Sequence, residues 1–170
     1  EGMDTGPALS IRKIPILPDD TTASLTVKLA DLGADRLIET LPQWIAGSLQ
    51  PTPQNQLPGE ISTCGRIDKD AGRIDWSQPA RQIERMTRAY TPWPSAFTTW
   101  KGEPLKIWQA EVIEGSTSPG EVIAIAKDAV VGTGDGLLKL KVVQPAGKKP
   151  MEIRSFLNGA SGFVGSMLGS

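Results

Sequence analysis

Apolar residues recur at helical spacing in two successive runs near the start of the chain. Leu25, Leu29 and Leu32 form the first run, and their spacing places them on one face of a helix. The second run follows Gly33 and contains Leu37, Ile38, Leu41, Trp44 and Ile45. Because glycine disfavours a helix interior, the pattern predicts two helices separated at Gly33.

Residues that favour helix boundaries flank these runs. Asp19 or Asp20 is predicted to cap a helix beginning at Thr21, because an aspartate oxygen accepts hydrogen bonds from the free amides of a first turn. Gly47 predicts the end of the second helix, and residues 9–14 have the apolar character of a strand. A strand and two helices cannot cover their own apolar faces, so we expect residues 1–50 to be the end of a larger α/β domain.

A proline-rich stretch separates this part from the rest of the chain. Residues 48–60 contain three prolines and no regular apolar spacing, which predicts a semi-extended linker. We therefore expect three parts: the end of a domain in residues 1–50, a linker in residues 51–68, and a second domain in residues 69–170.

The second domain is predicted to contain one helix and five short strands. Ser77 is predicted to cap the helix, with Ile83, Met86 and Tyr90 on one side. The strand-like runs are residues 96–100, 105–113, 121–126, 129–132 and 137–144. The sequence Gly134-Asp135-Gly136 suits a tight hairpin that needs positive φ. Five short strands at regular spacing predict a small closed or half-closed β-barrel.

The composition excludes several kinds of chemistry. The 170 residues include no histidine and one cysteine, Cys64, so the chain by itself offers no Ser-His or Cys-His pair, no internal disulfide and no expected metal site. No apolar run reaches the roughly 18 residues of a membrane span, and no leader pattern opens the sequence. We expect a soluble protein of a reducing compartment, the cytoplasm. The net charge of -1 does not by itself indicate a nucleic-acid partner.

Three arginines share one face of the predicted helix. Arg81, Arg85 and Arg88 are spaced by four and three residues, and such a row can follow the phosphates of a nucleic acid. Glu84 lies within reach of Arg81 and Arg88, so an ordinary solvated face of ion pairs is the favoured explanation of the pattern.

Four lysines near the last predicted strand form a second basic group. Lys139 and Lys141 alternate with apolar residues, which places them on one face of a strand. Lys148 and Lys149 follow in a turn bounded by prolines. Together they suit contacts with a phosphate backbone, but lysines that protect an edge strand from aggregation give the same pattern.

Other candidates have simple structural explanations. The five tryptophans could stack on bases, although packing in and around a small barrel also accounts for them. Asp4 lies in a glycine-flanked turn, where an aspartate usually bonds to its own backbone. Cys64 has no adjacent base or second cysteine, so no chemistry is assigned to it.

Several motifs together resemble the methionyl-tRNA formyltransferase family over essentially the whole chain. The Gln144-Pro145-Ala146-Gly147-Lys148-Lys149 segment is the most specific to that family. The Asp4-Thr5-Gly6 and Pro92-Trp93-Pro94 pieces are shared more widely among folate-dependent formyltransferases. The other motifs are Gly72-Arg73-Ile74-Asp75-Trp76, Gly134-Asp135-Gly136-Leu137-Leu138 and Phe156-Leu157-Asn158-Gly159.

The resemblance implies an α+β architecture for the chain. Residues 1–50 would be the strand and helices that end a Rossmann-like formyltransferase domain, and residues 69–170 would be an OB-like barrel that positions tRNA. The parent enzyme would transfer a formyl group from 10-formyltetrahydrofolate to the α-amine of methionyl initiator tRNA. It would be a cytoplasmic monomer without a metal, whereas this piece could self-associate through residues 21–47.

The resemblance also implies roles for individual residues. Asp4 matches the family's catalytic aspartate, whose asparagine and histidine partners would lie before Glu1 together with most of the folate pocket. We therefore expect the chain alone to be inactive. Candidate tRNA-binding residues are Arg66, Arg85, Arg88, Lys139, Lys141, Lys148 and Lys149.

Two departures from the family pattern limit what is carried over. The family's Tyr-Ala-x-Lys-Ile stretch corresponds to Thr63-Cys64-Gly65-Arg66-Ile67, so Arg66 keeps the charge but the tyrosine is absent. Arg81 does not match a position expected to be basic and is set aside. Two alternatives stay open: a related folate-dependent formyltransferase or hydrolase with another substrate, and a stand-alone nucleic-acid-binding barrel.

Overall fold

The chain divides into two compact units, Glu1–Arg66 and Ile67–Ser170. The computed structural model describes residue 2, residues 4–60 and residues 62–169. Of the helices in these ranges, none is both long enough and apolar enough to cross a membrane.

The first unit is built on one long helix, α1 (Thr22–Ile45). The Thr21 hydroxyl accepts a hydrogen bond from the Ser24 amide (3.2 Å), and the Ser24 hydroxyl accepts one from the Thr21 amide (3.0 Å). This reciprocal pair is a capping box. The predicted aspartate cap is therefore wrong: Thr21 is the cap, and the helix begins one residue later. Asp20 instead accepts from the Leu17 amide (2.8 Å) and from Lys28 (2.6 Å).

The predicted break at Gly33 is also wrong, because α1 continues through this residue. Nothing lies within 4 Å of the position that a Gly33 Cβ would occupy, so the residue is not required there for close packing. A helix-interior glycine costs only about 1 kcal/mol relative to alanine. Leu32, Ala34 and Arg36 are good helix formers, and the surrounding sequence outweighs that cost.

Residues 9–14 form no strand, which contradicts the prediction for this segment. Among the described residues of this part of the unit, the pairing is an antiparallel bridge between Ala8 and Thr52, made by backbone hydrogen bonds of 2.9 and 2.8 Å. A strand needs a neighbour along its length to satisfy its backbone groups. A short 3₁₀ turn, Gln54–Gln56, follows the bridge.

The second unit contains a sheet and two helices. A 3₁₀ turn at Asp70–Gly72 leads to α2 (Ala80–Ala89). The strands are β1 (Ala96–Trp100), β2 (Glu103–Ile113), β3 (Val122–Ile125), β4 (Asp128–Gly132), β5 (Leu137–Pro145) and β6 (Met151–Glu152), and α3 (Ile153–Leu157) follows them. The prediction of a helix followed by five strands is confirmed.

The strands form an antiparallel sheet in the order β1-β2-β5-β4-β3, with β6 added to β5. The long strands β2 and β5 pair from Leu105 opposite Pro145 to Ile113 opposite Leu137. The register shifts between Ile107 and Gln109, so Trp108 lies at a bulge.

The C-terminal segment connects the two edges of this sheet. The Gly169 amide donates to the Thr99 carbonyl on β1 (3.0 Å), and the Leu168 amide donates to the Gly120 carbonyl just before β3 (2.9 Å). The Val122 amide on β3 donates to the Ser166 carbonyl (2.9 Å). Backbone hydrogen bonds with the C-terminal segment thereby satisfy part of each edge strand, at Thr99 of β1 and Val122 of β3.

The core of the second unit is formed by residues of the sheet, α2, α3 and the C-terminal segment. Trp100, Phe156 and Phe163 pack edge to face, with ring centroids 5.0 to 5.6 Å apart. Fully buried side chains around them include Ile83, Leu105, Ile107, Val122, Val131, Leu138, Leu140 and Val143. α2 and α3 pack on this sheet, so the helices and strands share one core.

The loops before α2 and β5 meet closely. Pro79, not Ser77, occupies the position before α2, so the predicted serine cap is wrong. The Ser77 hydroxyl donates to Asp75 at 2.6 Å instead. A Cβ on Gly134 would lie 1.8 Å from the Ser77 carbonyl oxygen, and Gly136 has φ of +78°. The two glycines therefore allow the β4–β5 turn to lie against the start of α2.

Candidate nucleic-acid interface

A side-chain amide holds the lysine turn that follows β5. The Trp108 indole N–H donates to Gln144 Oε1 (2.9 Å), and Gln144 Nε2 donates to the Lys148 carbonyl (2.7 Å). The Lys148 amide closes the turn by donating to the Pro145 carbonyl (3.1 Å), and Gly147 supplies a φ of +68°. The backbone that carries Lys148 and Lys149 is thus fixed to the sheet.

Lys148 and Lys149 project from this turn into solvent. Both side chains are exposed. Among the residues that the structure describes, neither ammonium group lies within 4.0 Å of a carboxylate. A pair of cations on a fixed turn can contact an anion without first breaking an ion pair.

Lys139, by contrast, is neutralised by an acid from the adjacent strand. Its ammonium lies 2.8 Å from Asp128 Oδ2, while Arg154 Nε donates to Asp128 Oδ1 at 2.9 Å. The hydrogen bonds from Arg154 and then Lys139 lower the pKa of Asp128 to about 2. Asp128 is nearly buried, so this carboxylate holds two basic side chains in place.

Lys141 is also paired, but at the surface. Its ammonium lies 2.7 Å from Glu111 Oε2 on β2, and both side chains are about half exposed. The hydrogen bond from Lys141 lowers the pKa of Glu111. Pairs this exposed contribute little to stability, at roughly 0–1 kcal/mol, so a phosphate could replace the carboxylate at small cost.

The two candidate arginines of α2, Arg85 and Arg88, differ in the same way. Arg88 makes a two-pronged contact with Glu84, with Nε to Oε1 at 2.6 Å and Nη2 to Oε2 at 3.2 Å. Of the ion pairs with Glu84 expected from the sequence, the one with Arg88 is therefore present. Arg85 is exposed and lines a shallow open concavity of about 470 Å³ beside α2. Arg66 is exposed in the first unit, before Ile67.

Arg73 is a basic residue at this concavity that the sequence did not single out. Its guanidinium lies over the Phe97 ring, 5.4 Å from the centroid, and it lines the concavity with Arg85, Gln82 and Tyr90. The motif containing Arg73 was noted, but its position beside α2 depends on the parallel bridge between Arg73 and Phe97. Nothing in the local sequence indicated that contact.

Asp4 is exposed, in the first unit, and in a left-handed conformation with φ of +59°. Its carbonyl and that of Gly6 both accept hydrogen bonds from Gln54 Nε2, at 2.7 and 2.8 Å. The chain has no histidine, so the histidine partner expected from the resemblance is not among these residues. Within the described ranges, no group of three or more acidic or cysteine side chains could hold a metal ion.

Residues 66–161 match a protein family described as "Formyl transferase, C-terminal domain". The methionyl-tRNA formyltransferase of Roseiflexus castenholzii is 46% identical over 170 residues, covering 98% of this chain and 54% of that protein. That of Pseudoalteromonas translucida is 46% identical over 176 residues, covering 99% and 54%. The chain therefore spans about half the length of the curated relatives it matches.

Solved structures with a similar fold are more distant in sequence. HypX from Aquifex aeolicus, in complex with tetrahydrofolic acid, gives a TM-score of 0.66 at 22% identity, covering 96% of this chain and 29% of that one. WlaRD, a sugar 3N-formyl transferase solved with dTDP and 5-N-formyl-THF, gives 0.59 at 16% identity, covering 87% and 52%. These likenesses concern the fold.

Proposed function

The chain belongs to the formyl transferase C-terminal domain family, and on that premise we propose that it forms the C-terminal part of a methionyl-tRNA formyltransferase. That enzyme would transfer a formyl group from 10-formyltetrahydrofolate to the α-amine of methionyl initiator tRNA in the cytoplasm. In this proposal residues 1–50 end a Rossmann-like catalytic domain, residues 51–68 are the linker, and residues 69–170 form an OB-like, tRNA-positioning domain.

The observation that carries the proposal is the extent of the similarity to one enzyme. Identity of 46% to two methionyl-tRNA formyltransferases extends over 98% and 99% of the chain, so both units share it. The solved structures of HypX and WlaRD are only 22% and 16% identical to this chain. The segment ending in Lys148 and Lys149 is the part of the sequence that favours a tRNA substrate.

The basic residues differ in how readily they would meet phosphate. Lys148 and Lys149 are exposed on a turn held by Gln144, so we expect them to contribute most. Arg66 and Arg85 are exposed as well. Arg88, Lys139 and Lys141 have carboxylate partners, so a phosphate must compete with those carboxylates, and their contribution is expected to be smaller.

Asp4 is proposed as the catalytic carboxylate of this chain. An α-amine attacks a formyl carbon only when it is neutral, so a carboxylate close to a histidine can orient the amine and accept its proton. The reduced folate supplies the formyl group, and most of its pocket would belong to the rest of the enzyme. Residues 1–170 alone are expected to transfer no formyl group; formylation of charged initiator tRNA by this chain would contradict the assignment.

The tRNA-binding part is tested by replacing both exposed lysines of the turn. Lys148→Ala combined with Lys149→Ala should weaken binding of initiator methionyl-tRNA. A plot of the logarithm of the association constant against the logarithm of the salt concentration should become less steep, its slope decreasing in magnitude by about 2, because each phosphate contact contributes about one unit. Fluorescence anisotropy between about 50 and 200 mM salt measures both quantities.

Lys69 and Lys127 provide the matched control. Both are exposed lysines in the second unit, so replacing them with alanine removes the same charge elsewhere. Equal losses of affinity for the two double variants would show a general charge effect. No change in the Lys148 and Lys149 variant would leave the turn without a role in tRNA binding.

A further inference from the structure

One side chain from the proline-rich segment clamps the turn that contains Asp4. Gln54 Nε2 donates to the Asp4 carbonyl at 2.7 Å and to the Gly6 carbonyl at 2.8 Å. The donor is 50 residues away from Asp4 in the sequence, so this contact is tertiary. A single primary amide carries two N–H groups, and here both are used on the two sides of the same turn.

The backbone around Gln54 is itself fixed. Two residues before it, Thr52 pairs with Ala8 through hydrogen bonds of 2.9 and 2.8 Å. The Gln56 amide then donates to the Pro53 carbonyl (3.0 Å), which closes the 3₁₀ turn around Gln54. Pro51 and Pro53 have restricted φ angles. The backbone that carries Gln54 is therefore held in place, and it pairs with Ala8, four residues after Asp4.

The turn has little else to hold it. Asp4 has a φ of +59°, a region in which aspartate is tolerated but not stable by itself. The other side-chain contact of the described turn is local, from the Thr5 hydroxyl to the Gly2 carbonyl at 2.8 Å. The turn is exposed, so packing does not fix the direction of the Asp4 carboxylate.

From this geometry we infer that Gln54 is a positioning residue for Asp4. It acts through the backbone, because its amide bonds to the carbonyl oxygens on each side of Thr5 and holds Asp4 in its left-handed conformation. The importance of that for formyl transfer rests on the proposed function, in which Asp4 meets the reacting amine. A reacting group displaced by about 1 Å can lose about 100-fold in rate.

The first test measures the turn itself in the 170-residue chain. Gln54→Glu has the same size but a carboxylate cannot donate to either carbonyl, and it would repel both. The ¹⁵N order parameters of the Thr5 and Gly6 amides should fall from the range of rigid backbone to below about 0.6. Gln56→Glu is the matched control, since Gln56 is exposed in the same 3₁₀ turn and makes no side-chain hydrogen bond within the described part of the chain.

The second test measures formyl transfer in the complete enzyme that contains this chain. Gln54→Glu is expected to lower kcat by about 10- to 100-fold while KM for methionyl-tRNA stays within about twofold. Gln56→Glu should leave both constants unchanged. Gln54→Ala, which removes the donor without adding charge, should give the same split between kcat and KM and serves if the glutamate variant does not fold.

Asp4→Asn separates this inference from the proposed function. If Asp4→Asn keeps full activity, the assignment of Asp4 as the catalytic carboxylate fails. If Asp4→Asn is inactive but Gln54→Glu keeps wild-type kcat, only the role of Gln54 is overturned. The role is equally overturned if kcat falls while the order parameters of Thr5 and Gly6 do not change.

Discussion

The two units of this molecule bury opposite kinds of side chain. In the second unit the buried set is mainly aliphatic and aromatic, with Phe163, Leu138 and Leu140 at 0% exposure. In the described part of the first unit, the buried side chains are Asp20 and Thr40, both polar. Meanwhile Leu37, Ile38 and Ile45 of α1 are 62%, 72% and 76% exposed.

The difference shows that amphipathic sequence and folded core are separate properties. α1 forms because its cap and its helix-forming residues favour it, and an apolar face of this extent is one that other protein surface normally covers. The second unit differs, because its sheet, helices and C-terminal segment bury a shared cluster of apolar residues. Self-association through residues 21–47 remains an expectation based on the exposed face of α1.

The largest difference in stability between the two units is expected when one apolar side chain in each unit is replaced by alanine. Phe163→Ala should lower the free energy of unfolding of the second unit by about 3–5 kcal/mol, because it removes a ring from the cluster with Trp100 and Phe156. Leu37→Ala in α1 should change stability by less than about 0.5 kcal/mol, since the side chain is already exposed. Urea unfolding followed by tryptophan fluorescence measures the former, and far-UV circular dichroism follows the helix.

Similar losses in the free energy of unfolding for the two variants would contradict this difference between the units. A loss of several kcal/mol for Leu37→Ala would mean that α1 buries this residue in the folded protein. A negligible loss for Phe163→Ala would mean that the aromatic cluster is not part of a cooperative core.

A smaller effect on stability comes from one aspartate in each unit whose pKa is strongly lowered. Hydrogen bonds, first from Lys28, lower the pKa of Asp20 to about 2, and those from Arg154 and Lys139 do the same for Asp128. The ordinary value is 3.8. Because folding lowers these pKa values, each carboxylate stabilises its unit above about pH 4, and that stability is lost as the pH falls toward about 2.

Asp128→Asn should therefore flatten the decline in the urea midpoint of the second unit between about pH 4 and 2. Asp20→Asn should leave that decline intact and act instead on amide exchange in the first turn of α1. The two variants control for each other. If the urea midpoint of Asp128→Asn depends on pH as in the wild type, the assignment of Asp128 to the second unit is contradicted. The same holds for Asp20 and the first unit if Asp20→Asn changes the urea midpoint of the second unit.

Elements with regular spacing were predictable, whereas their ends and partners were less so. The strands were predicted from short strand-like runs between turn residues, and the Gly134-Asp135-Gly136 turn from its need for positive φ, because both signals are local. The break at Gly33 was wrong because a local cost of about 1 kcal/mol is smaller than the combined preference of the flanking residues. The strand at residues 9–14 was wrong because a strand also requires a partner.

In the candidate site, too, the local features were predictable and the partners from other strands were not. Alternation placed Lys139 and Lys141 on one face of a strand, which the structure agrees with. It could not show that Asp128 and Glu111 neutralise them, because those acids come from the strands on either side of β5 and meet the lysines diagonally. Register between strands, not spacing within one strand, decides which lysines stay available.

The sequence by itself determined which side chains this chain offers: no histidine, one cysteine, an aspartate at position 4 and the lysines at positions 148 and 149. These are matters of residue identity and short-range geometry. Only the tertiary structure decided which of the cations are paired, that the C-terminal segment joins both edges of the sheet, and that Gln54 holds the Asp4 turn from 50 residues away. Such contacts depend on chain segments meeting in space, and no local pattern encodes where they meet.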